Sequence, residues 1–133
     1  MVSPVGDSKA EILKRILSGD RTGLVLSELL GAENPVYVGE VSTKLPVIDK
    51  IQHVYDCRNN QLLLAALDQI KETVDGVIRR FGADRVGVVI GTSTSGLSST
   101  EFAWAEVANT GKKPEGFHYK QQQIAGGADF LAK

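Results

Sequence analysis

Arg85-Val86-Gly87-Val88-Val89-Ile90-Gly91-Thr92-Ser93-Thr94-Ser95-Gly96 is a short apolar run that passes into a glycine-bounded row of hydroxyls. Val86, Val88, Val89 and Ile90 are β-branched and nearly uninterrupted, the pattern of a strand buried on both faces rather than one with a wet side. Ser98 and Glu101 then have the spacing of a capping box, which predicts a helix opening at Phe102 and carrying Ala103, Ala105 and Val107. The order strand, polar loop, helix gives the fold class as α/β. In open α/β sheets ligands bind at this kind of junction, where a strand's carboxyl end meets a helix's positive N-terminus. Loop 91–96 is therefore the candidate binding element, with Thr92, Ser93, Thr94 and Ser95 as its substrate-binding residues. None of the four titrates near neutral pH, so the loop can hold and polarise a ligand but supplies no base.

Upstream, residues 58–81 repeat Leu63, Leu67, Ile70, Val74, Val77, Ile78 and Phe81 at steps of three and four, which predicts one long helix. Gly82-Ala83-Asp84 ends it and turns into the apolar run. Nearer the start, Ser8 and Glu11 form a second capping-box pattern before the stripe Ile12, Leu13, Ile16 and Leu17, which stops at Gly19. Residues 20–31 carry Leu24, Val25, Leu26, Leu29 and Leu30 at a spacing that fits either a helix or an irregular packed segment. Asn34-Pro35 breaks the chain, and residues 36–41 alternate as a short strand near an edge. Residues 45–49 read as an extended linker. After residue 110 come a polar loop, the triplet Gln121, Gln122 and Gln123 as a polar helix face, and a last helical stretch with Ile124, Phe130 and Leu131.

At 133 residues the chain has room for a single domain, 1–133, with a real core. A net charge of -1 gives no electrostatic reason to expect nucleic acid or an anionic membrane as partner. A lone cysteine, Cys57, leaves nothing to pair with and fits a reducing compartment, so a cytoplasmic location is expected. Cys57 precedes the long helix, where a thiol can be activated, yet a small buried side chain is the favoured reading. His53 and His118 have no carboxylate or cysteine at metal-ligand spacing and read as surface or packing residues, so no metal site is expected. Lys112 and Lys113 read as a solvated pair. The inventory leaves a buried strand short of neighbours, since only residues 36–41 otherwise read clearly as a strand. The missing strands are expected from another chain or from a longer polypeptide of which this is the front part.

Asp56-Cys57-Arg58-Asn59-Asn60-Gln61-Leu62-Leu63-Leu64-Ala65-Ala66-Leu67, the stretch from Gly82 to Leu97, and the segment from Pro114 to Lys133 resemble the β-ketoacyl-acyl-carrier-protein synthases, the thiolase-fold condensing enzymes. The resemblance implies the N-terminal part of a thiolase-like layered fold, with mostly buried strands flanked by helices. It implies an acyltransferase of fatty-acid or polyketide synthesis: a cysteine takes an acyl group, and a decarboxylated malonyl carrier thioester attacks it. In the family that cysteine lies in a Thr-Ala-Cys-Ser-like motif just beyond the matching segment, and two histidines, or a histidine and an asparagine, come later. None of these falls in the chain, so no catalytic residue is assigned and the segment alone is expected to be inactive. The resemblance further implies no cofactor beyond the phosphopantetheine of an acyl carrier protein, that carrier as partner, and a homodimer or heterodimer. It places Thr94 at the wall of the acyl pocket, although the polar Thr92 to Ser95 version departs from the family's glycine-rich or apolar loop. Two other readings compete: a small binding module using loop 91–96, and a non-catalytic partner of an intact synthase. The loop has no Walker-type lysine, which argues against nucleoside triphosphates.

Overall fold

The computed structural model describes residues 1–28 and 31–133, which form two compact units, Met1–Lys44 and Leu45–Lys133. In the first unit, helix α1 (Lys9–Ser18) opens at Ser8, whose side chain accepts the Glu11 N–H at 3.3 Å. It closes at Gly19, which adopts the left-handed conformation. The Glu11 carboxylate pairs with Arg15 one turn on, at 2.8 Å. Of the predicted apolar stripe only Ile12 is buried, while Leu13, Ile16 and Leu17 are exposed.

Strands β1 (Leu24–Ser27) and β2 (Val36–Gly39) pair antiparallel, with Leu24 opposite Gly39 and Ser27 opposite Val36. The strand expected over residues 36–41 is thus present over its first four. Its partner comes from the segment whose spacing suggested a helix or an irregular stretch. The cross-strand ladder, which no local spacing encodes, decided that conformation. Leu29 and Leu30 of the same segment lie outside the described residues.

In the second unit a 3-10 turn (Lys50–Tyr55) leads into α2 (Arg58–Asp68) and α3 (Lys71–Phe81). The single helix expected over residues 58–81 is therefore two. Ile70, at φ -122° and ψ 8°, leaves the helical region, and its N–H reaches back only three residues to Leu67 O, at 2.9 Å. The apolar steps run across this break because both helices keep the same periodicity, and periodicity does not register one non-helical residue. After a second 3-10 turn (Ala83–Arg85) come α4 (Leu97–Thr110), a third turn (Tyr119–Gln121) and α5 (Gly126–Leu131).

The core of this unit gathers Ile48, Tyr55 and Phe130, with Val54, Leu64 and Leu131 packed around them. The Tyr55 and Phe130 rings lie 6.1 Å apart, tilted by 38°, within the range of favourable aromatic pairs. Helix α5 approaches α2 so closely at Gly127 that an added Cβ would meet Leu63 Cδ1 at 2.7 Å. Lys120 Nζ donates to the Tyr55 hydroxyl at 3.2 Å, and Lys133 stands 4.9 Å over the same ring. These two ammonium groups, Lys133 first, hold the Tyr55 phenol below its ordinary pKa.

Residues 86–90 are the main departure from the sequence reading, for they form no strand and are not buried. Val89 is 94% exposed and Val88 37%. A strand exists only through the hydrogen bonds of its neighbours, and among the described residues the sheet has two members, β1 and β2. Among the described residues the fold is mixed helix with a small two-stranded sheet.

Candidate functional site

The polar loop and α4 meet as the sequence order requires, but through different atoms. Helix α4 starts at Leu97, and its N-cap is Gly96 with no side-chain cap bond, so Ser98 lies inside the first turn and the Ser98–Glu101 box does not form. The orphan groups there find partners elsewhere. Gly96 C=O accepts from Thr100 Oγ1 at 3.0 Å, and Gly96 N–H donates to the main-chain oxygen of Gln121 at 2.8 Å. Ser95 Oγ donates to the same oxygen at 3.0 Å, and Cys57 Sγ lies 3.9 Å from it.

Gln121 is the residue this junction is built on. It is 2% exposed, contrary to the reading of the glutamine triplet as a polar helix face. Its Nε2 donates to Asp56 O at 2.8 Å and to Gly116 O at 2.9 Å, while its Oε1 accepts the His118 N–H at 3.2 Å. The two carbonyls and one N–H fix which end of the amide is which. A buried amide left unpaired would be costly, and here it is satisfied on both sides. His118 Nδ1 in turn accepts the Lys120 N–H at 3.3 Å, so His118 and Gln121 form a reciprocal cap on the 3-10 turn. Their spacing was visible in the sequence as a cap followed three residues later by glutamine. Histidine in place of serine or threonine disguised it.

The four predicted hydroxyls separate into two groups. Thr94 and Ser95 line a hollow of about 290 Å³ together with Arg58, Asn59, Leu62 and Ser98. Thr92 and Ser93 are exposed and are not among its walls. Thr92 Oγ1 donates to Thr94 O and accepts the Thr94 N–H, a local turn that stiffens the loop. A second hollow of about 380 Å³ lies between Asp56, Ser98, Ser99, Phe102, Phe117 and Gln121. Both hollows include Ser98 and Ser99 at the first turn of α4. Arg58, Asn59 and Gln121 escaped the sequence reading because nothing local ties the start of α2 or residue 121 to loop 91–96.

Cys57 is buried at 3% exposure, as the small-side-chain reading expects. Burial pushes its thiol pKa up, and the Asn60 and Asn59 backbone N–H groups only partly offset that. An acyl-accepting cysteine needs the opposite, an accessible thiolate. Asn60 itself is fully buried and donates from Nδ2 to Tyr55 O at 2.8 Å, tying the start of α2 to the core. His53 Nδ1 sits 2.9 Å from Lys50 O, within its own 3-10 turn.

No protein-family model and no curated protein sequence matches the chain. Among solved structures it is similar to one described as a ketosynthase (ApeO) in complex with its chain length factor (ApeC) from Xenorhabdus doucetiae. The similarity has 32% identity and a TM-score of 0.88, covering 98% of this chain and 34% of that one. The chain thus has a ketosynthase-like fold and spans about a third of the length of its structural neighbour.

Proposed function

We propose that these 133 residues are the N-terminal portion of a β-ketoacyl-acyl-carrier-protein synthase, in which loop 91–96 faces the acyl substrate. The observation that carries this reading is the fit of 98% of the chain to a ketosynthase structure. The bare apolar run at 86–90 supports it, because such a run suits a sheet completed by further strands. In the complete protein an acyl group would be loaded on a cysteine outside this segment. A malonyl thioester carried on the phosphopantetheine of an acyl carrier protein would then lose CO2, and the resulting carbanion would attack that acyl group. Within this segment Thr94 contributes a neutral donor beside the substrate, while Ser95, whose O–H is donated to Gln121 O, holds the end of the loop. Cys57, buried and hard to ionise, takes no part as nucleophile. The portion alone is therefore inactive in condensation, and the complete enzyme works in the cytoplasm as a dimer.

The neighbouring structure contains a chain length factor as well as a ketosynthase, which favours a second reading: a non-catalytic subunit that pairs with an intact synthase. Reading the coding frame beyond Lys133 separates the two. A Thr-Ala-Cys-Ser-like stretch is expected, continuation without a cysteine there selects the non-catalytic subunit, and a stop codon overturns both. Incubation of the 133-residue chain with a radiolabelled acyl thioester is expected to leave no label on the protein; label on Cys57 would overturn the inactivity.

A further inference from the structure

We infer that Gln121 is a positioning residue for the substrate loop, a role that rests on the acyl-binding reading above. Its side chain ties residue 121 to Asp56, just before α2, and to Gly116 and His118 on its own segment. Its main-chain oxygen then receives the last two residues of the loop, Ser95 Oγ and Gly96 N–H. The end of the loop is held at an oxygen whose place is set by a buried amide from a distant part of the chain. No room exists for slack: a Cβ on Gly96 would come within 2.6 Å of that oxygen and 3.1 Å of Cys57 Cβ and Sγ. Ser95 and Gly96 are also walls of the 290 Å³ hollow, and Gln121 is a wall of the 380 Å³ one. Displacing Gln121 therefore moves a wall of each. Gln123, two residues on, is exposed and serves as the internal control.

Cys57 provides the readout, since it is the one cysteine of the chain and lies against Gly96 and the Gln121 oxygen. Gln121→Met keeps the side-chain length but loses the three hydrogen bonds to Asp56, Gly116 and His118. In that variant, labelling of Cys57 by a disulfide reagent is expected to accelerate about tenfold or more. Gln123→Met is expected to label at the wild-type rate. Ser95→Ala removes one bond from the other side of the junction and is expected to accelerate labelling about threefold. It also serves should Gln121→Met fail to fold. Equal labelling of Ser95→Ala and wild type, or of a folded Gln121→Met and wild type, overturns the positioning role.

The probe for the site is octanoyl-pantetheine, titrated against the full chain by calorimetry. Binding to the wild type that weakens about fivefold or more in Gln121→Met, with the circular dichroism spectrum retained, is expected. Unchanged binding in a variant whose Cys57 has become reactive would reduce Gln121 to a purely structural tie and overturn its link to substrate. Absence of binding by the wild type would count against the acyl-binding reading and overturn that link, while the labelling experiment still decides whether Gln121 holds the loop.

Discussion

Two neighbouring stretches of the same loop region end in opposite states. Residues 86–90 are among the most apolar in the chain, yet Val89 is 94% exposed and no strand pairs with the run among the described residues. A short way further on, Ser95 and Gly96 are polar or featureless, yet they are fixed against Gln121 by two hydrogen bonds. The difference shows that burial here follows the availability of partners rather than hydropathy. The polar junction finds its hydrogen-bond partners within residues 45–133, whereas no strand pairs with the apolar run among the described residues.

That contrast can be broken most directly at the packed side. Phe130→Ala removes a ring that is 3% exposed and paired with Tyr55, and is expected to cost about 3–5 kcal/mol in urea unfolding. A cost below about 1 kcal/mol would mean that the Ile48, Tyr55 and Phe130 cluster is not a true core. Asn60→Ala leaves Tyr55 O without its donor and is expected to cost about 1–3 kcal/mol by the same measurement.

A smaller effect is expected from the buried thiol. Because the folded-state pKa of Cys57 is raised by burial, its contribution to stability is fully present below the unfolded thiol pKa. That contribution falls as pH rises through the folded value, since the unfolded chain ionises first. Urea midpoints measured from neutral pH upward should decline in the thiol range for the wild type, and this decline should be absent in Cys57→Ala. The smallest effect belongs to the bare run: Val89→Thr should change stability of the 133-residue chain by less than about 0.5 kcal/mol. A penalty above about 2 kcal/mol would show the run to be packed in solution and would erase the contrast.

The candidate site was partly legible. The glycine-bounded hydroxyl loop does lead into a helix, and Thr94 and Ser95 line a hollow at that junction. Hydroxyl content could not say that Thr92 and Ser93 turn away, because that depends on the Thr92 side chain closing on residue 94. Nor could it reveal Gln121, whose partners at positions 56, 95 and 96 lie 65, 26 and 25 residues away along the chain.

From the linear pattern alone come both ends of α1, with Ser8 as a cap and Gly19 as a stop, and the helical character of residues 58–68 and 71–81, but neither the break at Ile70 nor the start of α4. These features rest on contacts three or four residues apart, which a linear pattern contains in full. Long-range contacts were needed to make residues 24–27 a strand, to leave residues 86–90 without one, and to bury one glutamine of three. Each of those outcomes depends on hydrogen-bond partners supplied from elsewhere in the chain, and a strand edge or a buried amide has no favourable state until they arrive.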